Sequence, residues 1–127
     1  MIKLTLAFLL VLLIGKQVLA SYDPWYPKYH LSPPKGWMND PNGLIYYDGY
    51  YHAFFQHNPY DVVWGTMHWG HARSTDMLQW EHLPIALEPS LTEDIDGIYS
   101  GSAVNDNGTL TLIYTGFGGN LTHQMQI

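Results

Sequence analysis

The chain has 127 residues, 5 basic and 11 acidic side chains, a formal net charge of −6 and no cysteine. This length allows one domain at most, and the acidic balance argues against a nucleic acid or an anionic membrane surface as partner, because both require clustered Lys and Arg. Without cysteine, the chain has no disulfide, no thiolate metal site and no cysteine nucleophile. Aromatic residues (15%) outnumber charged ones (13%), which argues against disorder and suits sugar-stacking surfaces.

The first twenty residues have the three-part pattern of a secretory signal peptide. Lys3 gives a positively charged start, an apolar run over residues 4–14 follows, and a compact Val-Leu-Ala segment ends at Ala20. The apolar run is shorter than the ~20 residues that a transmembrane helix requires. We therefore predict a signal peptide over residues 1–20 that is cleaved after Ala20, with an uncleaved anchor as the alternative.

The mature chain, residues 21–127, is then expected to be secreted and free of the membrane. Two Asn-x-Thr triplets, at Asn107 and at Asn120, agree with secretion because such triplets are acceptors of N-linked glycans. Each triplet is weak support alone, since triplets of this kind often arise by chance. Asn107 and Asn120 are the candidate glycosylation sites.

Strand signals dominate the mature chain after a lead-in over residues 21–36, which is rich in proline and tyrosine and predicts no regular structure. Two aromatic runs, residues 44–47 and 50–55, flank Asp48-Gly49, and this pattern is the strongest short-range signal for a β-hairpin. Further strands are predicted at residues 68–74, 79–83, 98–104 and 109–115, with a turn at residues 105–108.

The fold class follows from this succession of strands. No segment has a helical period, because proline or glycine interrupts every candidate window, so the chain is predicted to be all-β. Four strands followed by a second group that opens in the same way suggest β-propeller blades, with a sandwich or a small barrel as the alternative. At roughly 40–50 residues a blade, the mature segment holds about two blades. The simplest interpretation is a truncated product or a partial gene model.

Residues 37–43 (WMNDPNG) have the clearest chemical character, and they directly precede the first predicted strand. Asp-Pro and Asn-Gly both favour turns, so a purely structural turn is the alternative interpretation. Trp37 and Met38, however, are costly to expose unless they line a site. Asn39 and Asp40 set an amide beside a carboxylate, which is how a sugar ring is held and attacked. At a strand start near a propeller axis, this carboxylate would face the central funnel.

Three later segments complete a candidate sugar pocket. Residues 55–59 end a strand with a neutral polar cluster, residues 64–72 place two tryptophans and two histidines among glycines, and residues 99–103 open a strand of small residues. Planar aromatic rings contact the C–H faces of sugars, while amides and carboxylates bind the hydroxyl groups. A small carbohydrate is therefore the predicted partner.

The histidines raise the question of a metal site. His68 and His71 are three residues apart, which is a ligand spacing on a helix, but in a predicted strand they point to opposite faces. No His-Glu-x-x-His pattern is present. We predict no metal and no other cofactor, and we expect packing or hydrogen-bonding roles for the histidines.

Taken together and in this order, the motifs resemble the N-terminal part of glycoside hydrolase family 32, the invertases and other β-fructofuranosidases. The resemblance covers nearly all of residues 29–119. It rests on the segments 37–43, 55–59, 64–72, 80–87 and 99–103. It implies a five-bladed propeller catalytic domain, usually followed by a β-sandwich. It also implies hydrolysis of terminal β-D-fructofuranosides such as sucrose, with retention at the anomeric carbon.

The resemblance also implies roles for individual residues. Asp40 matches the family's nucleophile. The substrate-contacting positions of the family are matched by Trp37, Met38, Asn39, Gln56, Trp64, Tyr99 and Ser100, with Tyr99 where the family often has Phe. In the mechanism of retention, Asp40 forms a fructosyl-enzyme while a second carboxyl group acts first as acid and then as base. Asp40 must stay ionised, so we expect hydrogen-bond donors such as Asn39 or backbone N–H groups around it.

Two elements of the family, an Arg-Asp-Pro segment and a Glu-Cys segment, are missing. The one arginine is Arg73, and both elements are expected beyond residue 127. A local acid could come only from Glu81, Glu88 or residues 93–96, and we interpret this last segment as a solvated acidic turn. The isolated chain is therefore expected to be a poor catalyst and a poor folder. A non-catalytic sugar-binding remnant and a non-functional truncated product are the alternatives.

Overall fold

The computed structural model describes residues 24–119 and 124–127. Every regular element in these residues is a β-strand, which confirms the all-β prediction. The strands are β1 (Trp37–Tyr47), β2 (Tyr50–Asn58), β3 (His68–Ser74), β4 (Glu81–Leu87), β5 (Gly97–Asp106), β6 (Thr109–Phe117) and β7 (Met125–Gln126). The predicted signal peptide and the candidate glycosylation site Asn120 lie outside the described residues.

The strands form two sheets in which the order along the chain is also the order in space. The first sheet runs β1, β2, β3 and β4, and the second runs β5, β6 and β7. All neighbouring strands are antiparallel. Each sheet is therefore a meander, which is the arrangement predicted for propeller blades.

The hydrophobic core lies between the two sheets. Phe54 and Trp69 from the first sheet pack with Ile98 and Tyr114 from the second. Trp69 is fully buried, and its indole N–H donates a 3.0 Å hydrogen bond to the backbone carbonyl of Tyr99. A buried indole group usually has such a partner, and here the partner belongs to the other sheet. The bond therefore fixes β5 against the first sheet.

β1 approaches this core closely at Gly43. The residue has a φ of +50°, and a Cβ atom there would lie 2.9 Å from Cδ2 of Phe54 and 3.3 Å from Cζ3 of Trp69. Glycine is the residue that combines a left-handed backbone with the absence of a side chain. The Asn-Gly pair that reads as a turn in the sequence therefore serves the contact between β1 and the core.

Both hairpins end in two-residue turns. Asp48 and Gly49 connect β1 to β2, and Asn107 and Gly108 connect β5 to β6, all with positive φ. Positive φ at both central residues is the type I′ geometry that Asp-Gly and Asn-Gly favour, and both predicted hairpins are confirmed. The Tyr47 hydroxyl donates a 2.7 Å hydrogen bond to the Gly108 carbonyl, so the two turns lie at the same end of the molecule.

The fourth strand begins later than the predicted residues 79–83, because a side chain organises the turn before it. The Asp76 carboxylate accepts hydrogen bonds from the backbone N–H groups of Leu78 (2.8 Å) and Gln79 (2.9 Å). These bonds hold residues 76–79 in a turn, as Asp side chains commonly do. β4 then spans Glu81–Leu87.

Residues 37–43 lie inside β1, and the prediction that they precede the first strand is wrong. They cause two shifts in the register between β1 and β2, one between Met38 and Pro41 and one between Asn42 and Ile45. Each shift places an additional residue on β1, which is a β-bulge. The turn-forming pairs therefore break the regularity of a strand and do not reverse the chain.

The loop between β4 and β5 corrects a second expectation, because Asp94 is fully buried and does not belong to a solvated turn. Its carboxylate accepts hydrogen bonds from the N–H groups of Ser90 (2.8 Å) and Leu91 (2.7 Å) and from the Tyr114 hydroxyl (2.7 Å). Burial raises the pKa of Asp94, but these bonds outweigh it and leave the pKa below its usual value. Burial, together with the bond to Asp94, raises the pKa of Tyr114 to about 12.

Candidate active site

The first bulge of β1 presents Asp40. Met38 pairs with His57 and Pro41 with Phe55, so Asn39 and Asp40 together lie opposite the single residue between them on β2, which is Gln56. Bulges re-aim side chains and are common next to active sites. The outcome is an exposed carboxylate at the beginning of the strand.

A bulge on β5 presents Ser100 to that carboxylate. Tyr99 pairs with Thr115 and Gly101 with Tyr114, which leaves Ser100 as the additional residue. The Ser100 hydroxyl donates a 3.4 Å hydrogen bond to Oδ2 of Asp40. The two sheets thus bring together two predicted site residues that are far apart in the sequence. The donor beside Asp40 is this hydroxyl group, and not the Asn39 amide that we expected.

Asn39 has a different partner. The indole Nε1–H of Trp37 donates a 2.8 Å hydrogen bond to Oδ1 of Asn39. Because an indole N–H can only donate, this bond fixes the orientation of the amide and leaves its NH2 group for other acceptors. The backbone carbonyl of Trp37 in turn accepts a 2.8 Å hydrogen bond from Nδ1 of His57. The Asn39 amide, next in sequence to Asp40, is therefore held in one orientation.

Gln56 contributes a buried donor without a partner. The residue is 3% exposed, and its Nε2 has no hydrogen-bond partner in the part of the chain that the structure describes. Asn42 is also 3% exposed, and its Nδ2 likewise has no hydrogen-bond partner in the described residues. An unpaired buried amide is costly, and active sites are where such groups are retained. Gln56 is the β2 residue opposite Asn39 and Asp40, so the strand pairing sets a residue with an unpaired amide nitrogen next to them.

Aromatic rings form a second wall beside Ser100. The exposed Trp64 ring lies 6.4 Å from that of Tyr99, and Tyr99 is stacked on Phe117 at 5.2 Å with an interplanar angle of 12°. Phe117 is a supporting residue that the sequence reasoning missed. A signal for it exists in the hairpin register, because Phe117 pairs with Gly97 and so shares a face with Tyr99 two residues further on.

The loop that carries Trp64 is held by Asn58. The side-chain amide of Asn58 donates to the Val63 carbonyl (2.9 Å), and its oxygen accepts from the Tyr60 N–H (3.1 Å). This asparagine belongs to the polar cluster that the sequence singled out at the end of β2. Of the other predicted site residues, Met38 is half-buried on β1. The structure therefore gathers the predicted residues around one end of β1, β2 and β5.

The histidines have the hydrogen-bonding roles that we expected. His68 bonds to the Thr66 carbonyl (3.1 Å), and Nδ1 of His52 lies 2.9 Å from Nε2 of His71. Burial lowers the pKa values of His52 and His57, and burial together with His52 and Arg73 lowers the pKa of His71 to about 4. Over residues 24–119 and 124–127, no three His, Asp or Glu side chains come close enough together to hold a metal ion.

The two antiparallel sheets follow one another along the chain and pack on a shared core. The bulged first strand presents a carboxylate. These features define this chain as part of a β-propeller. Residues 30–127 match the model of the "Glycosyl hydrolases family 32 N-terminal domain". The chain therefore belongs to glycosyl hydrolase family 32. Its fold is a part of the five-bladed propeller of that family, as the similarity to solved structures also shows.

Individual relatives agree with this assignment. A raffinose invertase from Escherichia coli is 65% identical over 94 residues, which cover 74% of this chain and 20% of the relative. Among solved structures, sucrose-6-phosphate hydrolase from Lactobacillus gasseri has a TM-score of 0.76 at 39% identity, covering 90% of this chain and 24% of that one. A Bombyx mori beta-fructofuranosidase variant in complex with sucrose has a TM-score of 0.73 at 48% identity, covering 82% and 23%.

The chain thus spans about a fifth of the length of the raffinose invertase and of other curated relatives that it matches. In the described residues, no helix has the length and apolar character needed to cross a membrane.

Proposed function

We propose that the chain is the N-terminal part of a secreted glycosidase that hydrolyses terminal β-D-fructofuranosides such as sucrose with retention of configuration. The observation that carries this proposal is the carboxylate of Asp40, presented on a bulge and touched by Ser100 from the other sheet. Family membership supports the reaction class, and the relatives are named for raffinose, sucrose 6-phosphate and β-fructofuranosides.

Asp40 is the proposed nucleophile. Ser100 engages Oδ2, which leaves Oδ1 to attack the anomeric carbon of fructose. As the new C–O bond to Asp40 forms, the glycosidic C–O bond breaks, and the leaving oxygen takes a proton from a second carboxyl group. That carboxylate then takes a proton from water, whose oxygen attacks the anomeric carbon and releases Asp40. Retaining pairs lie ~5–5.5 Å apart, and no part of this chain is proposed to supply the second member.

The other site residues are proposed to bind the sugar. Donor groups come from the Asn39 amide and the buried Gln56 Nε2, which are free to bond hydroxyl oxygens. The Trp64 and Tyr99 rings offer flat apolar surfaces for C–H groups. The complete proposed set of substrate-binding residues is Trp37, Met38, Asn39, Gln56, Trp64, Tyr99 and Ser100. The partner is thus a small carbohydrate, and the mechanism uses no metal or cofactor.

The domain arrangement is also a proposal. Residues 1–20 are proposed to be a signal peptide, and residues 21–127 the first part of the propeller domain. One structural feature supports further blades: the face of the first sheet away from the core has a hollow of about 400 Å³ lined by apolar residues such as Leu44 and Trp80. Leu44 is 65% exposed on this face, as expected for a surface that another blade covers.

A hybrid protein tests the catalytic assignment. In it, residues 30–127 of this chain, which match the family model, replace the corresponding N-terminal segment of the Escherichia coli raffinose invertase. We expect the hybrid to hydrolyse sucrose, and Asp40→Asn to lower kcat by roughly 10⁴-fold, because an amide cannot form the covalent intermediate. The matched control is Asp48→Asn in the β1–β2 turn, which should keep full activity because Asn-Gly also suits that turn.

The outcomes separate the alternatives. Near-normal turnover by Asp40→Asn, in a hybrid that unfolds at the same temperature as the parent, would contradict the assignment. A hybrid that binds fructosides in calorimetry but does not hydrolyse them would favour the sugar-binding remnant. A hybrid that neither binds nor folds, beside a raffinose invertase that does both, would favour the non-functional product.

A further inference from the structure

Resting on the proposed function, we propose that His57 is a positioning residue that holds Asp40 in place through the hydrogen bond from its Nδ1–H to the Trp37 carbonyl. His57 does not touch the reacting atoms in this proposal. It acts on the strand that carries them, through β1 residues on the N-terminal side of the bulge. The inference adds a residue outside the proposed nucleophile and substrate-binding set.

The start of β1 needs such support, because the regular ladder is interrupted there. The bulge leaves one residue of the Asn39–Asp40 pair without a partner on β2. Pro41 follows directly, and proline has no backbone N–H to donate. Side-chain hydrogen bonds must therefore define the backbone around Asp40 to a degree that is unusual in a strand.

His57 is well suited to this task. The residue is 5% exposed, its Nδ1 lies 2.8 Å from the Trp37 carbonyl oxygen, and its ring meets Phe55 edge-on at 5.6 Å and 67°. A carbonyl oxygen can only accept, so the proton of this bond belongs to Nδ1. Burial, aided by nearby Lys35 and two other histidines, lowers the pKa of His57. Because Nδ1 keeps its proton in the neutral and in the charged ring, the bond holds in both states.

A further hydrogen bond leads from Trp37 to Asn39, the residue next to Asp40. The Trp37 carbonyl is held by His57, and the Trp37 indole holds Oδ1 of Asn39. Asn39 is the immediate neighbour of Asp40, whose other contact is with Ser100 from the second sheet at 3.4 Å. That last bond is long for a hydroxyl donor, so it restrains Asp40 weakly. A shift of Trp37 would therefore be passed to Asn39 and Asp40 with little resistance.

Two nearly isosteric variants of the hybrid protein test the inference. In His57→Asn, the amide Nδ2 replaces the ring Nδ1 as donor, whereas His57→Leu has the same branching without a donor. Both lose the ring contact with Phe55 to the same extent, so their difference isolates the hydrogen bond. We expect His57→Leu to lower kcat for sucrose about tenfold, with KM within about twofold of the parent. His57→Asn should recover kcat to within about threefold of the parent.

The pH dependence of kcat is the second readout. A positioning residue does not exchange protons with the substrate, so the pH–rate profile of His57→Asn should match that of the parent. A shift of the acidic or the basic limb of that profile would overturn the inference and assign His57 an acid–base role. Equal losses of kcat in both variants would assign the effect to ring packing, and a rise in KM alone would assign it to substrate binding. Parental kcat in His57→Leu would also overturn the inference.

These outcomes are distinct from failure of the proposed function. If Asp40→Asn is inactive and His57→Leu behaves as the parent, the nucleophile stands and the positioning role falls. If Asp40→Asn remains active, the proposed function falls whatever the His57 variants show.

Discussion

The two ends of the β1–β2 and β5–β6 hairpins are built in opposite ways. At the turn end, the ladders are regular up to Asp48-Gly49 and Asn107-Gly108, and a Cβ atom at either glycine would meet nothing within 4 Å. At the site end, both first strands are bulged, and a buried amide on Gln56 lacks a partner. The turn end follows local rules, whereas the site end departs from them where Asp40 and Ser100 meet.

This difference shows that the site end loses regular backbone pairing, and therefore stability, in order to bring Asp40 and Ser100 together. A type I′ turn satisfies the backbone with two residues and asks little of the rest of the molecule. A bulge leaves a residue unpaired and bends the strand, so neighbouring side chains must hold it. Proteins commonly break local rules at functional sites and compensate elsewhere, and here the compensation is the bonding of His57, Trp37 and Asn39.

Glycine substitution gives the largest expected effect on stability. Gly43→Ala adds a Cβ atom 2.9 Å from the Phe54 ring at a φ of +50°, whereas Gly49→Ala has a φ of +83° in open space. Overpacking and backbone strain together should make Gly43→Ala cost about 2–4 kcal/mol of unfolding free energy in the hybrid protein. Strain alone should make Gly49→Ala cost about 1 kcal/mol. Urea titrations measure the free energy of unfolding of both variants, and equal losses would contradict the difference between the two ends.

Histidine protonation should change the free energy of unfolding by a smaller amount, and this change again differs between the turn end and the site end. Nδ1 of His52 faces Nε2 of His71 at 2.9 Å, so one of the two must accept, and protonation of the acceptor removes that bond. The folded-state pKa of His71 is about 4 against 6.5 for the unfolded chain, so stability is fully present above pH 6.5 and is lost as the pH falls towards 4. Nearby Arg73 adds to this effect.

The size of this loss should be about 1–2 kcal/mol once the partial solvent exposure of the His71 ring is allowed for. Urea titrations of the hybrid protein at pH 7 and pH 4 measure it, and His71→Gln should reduce the difference because glutamine does not titrate. His57→Asn is the comparison at the site end and should reduce the difference less, because the bond to the Trp37 carbonyl holds in both protonation states and opposes the lowering of the His57 pKa by burial. An undiminished pH dependence in His71→Gln would contradict this account.

The same contrast explains what the sequence could predict. Asp48-Gly49 and Asn107-Gly108 determine their turns within a few residues, so both hairpins and the all-β class are readable locally. The bulges are not, because Asp-Pro and Asn-Gly in residues 37–43 have the same local signature as a turn, and only pairing with β2 decides between the two. Buried Asp94 was misjudged for a similar reason, since its partner Tyr114 lies on a later strand.

The candidate site was predictable as a set of residues, and its geometry was not. Resemblance to the family pointed to Asp40, Gln56 and Ser100, but the contact between Asp40 and Ser100 depends on how two sheets pack around Trp69. Phe117 carries no chemical motif, and its stacking on Tyr99 follows from the register of β5 and β6. Supporting residues of this kind can be identified only in the tertiary structure, because any apolar residue at position 117 would fit the strand pattern in the sequence.

The smallest expected effect concerns the turn end. We expect secretion to attach a glycan to Asn107, because this asparagine is exposed at the tip of the β5–β6 hairpin. In the full chain secreted from a eukaryotic host, Thr109→Ala should remove one glycan's mass, whereas Thr111→Ala leaves the Asn-Gly-Thr triplet intact and should not.

Thr109→Ala should lower the free energy of unfolding of the hybrid protein by less than about 0.5 kcal/mol and leave kcat unchanged, since Thr109 is exposed at the end far from Asp40. A secreted chain whose mass is the same with and without Thr109 would show that Asn107 is not modified, and a fall in kcat would show that the two ends are coupled.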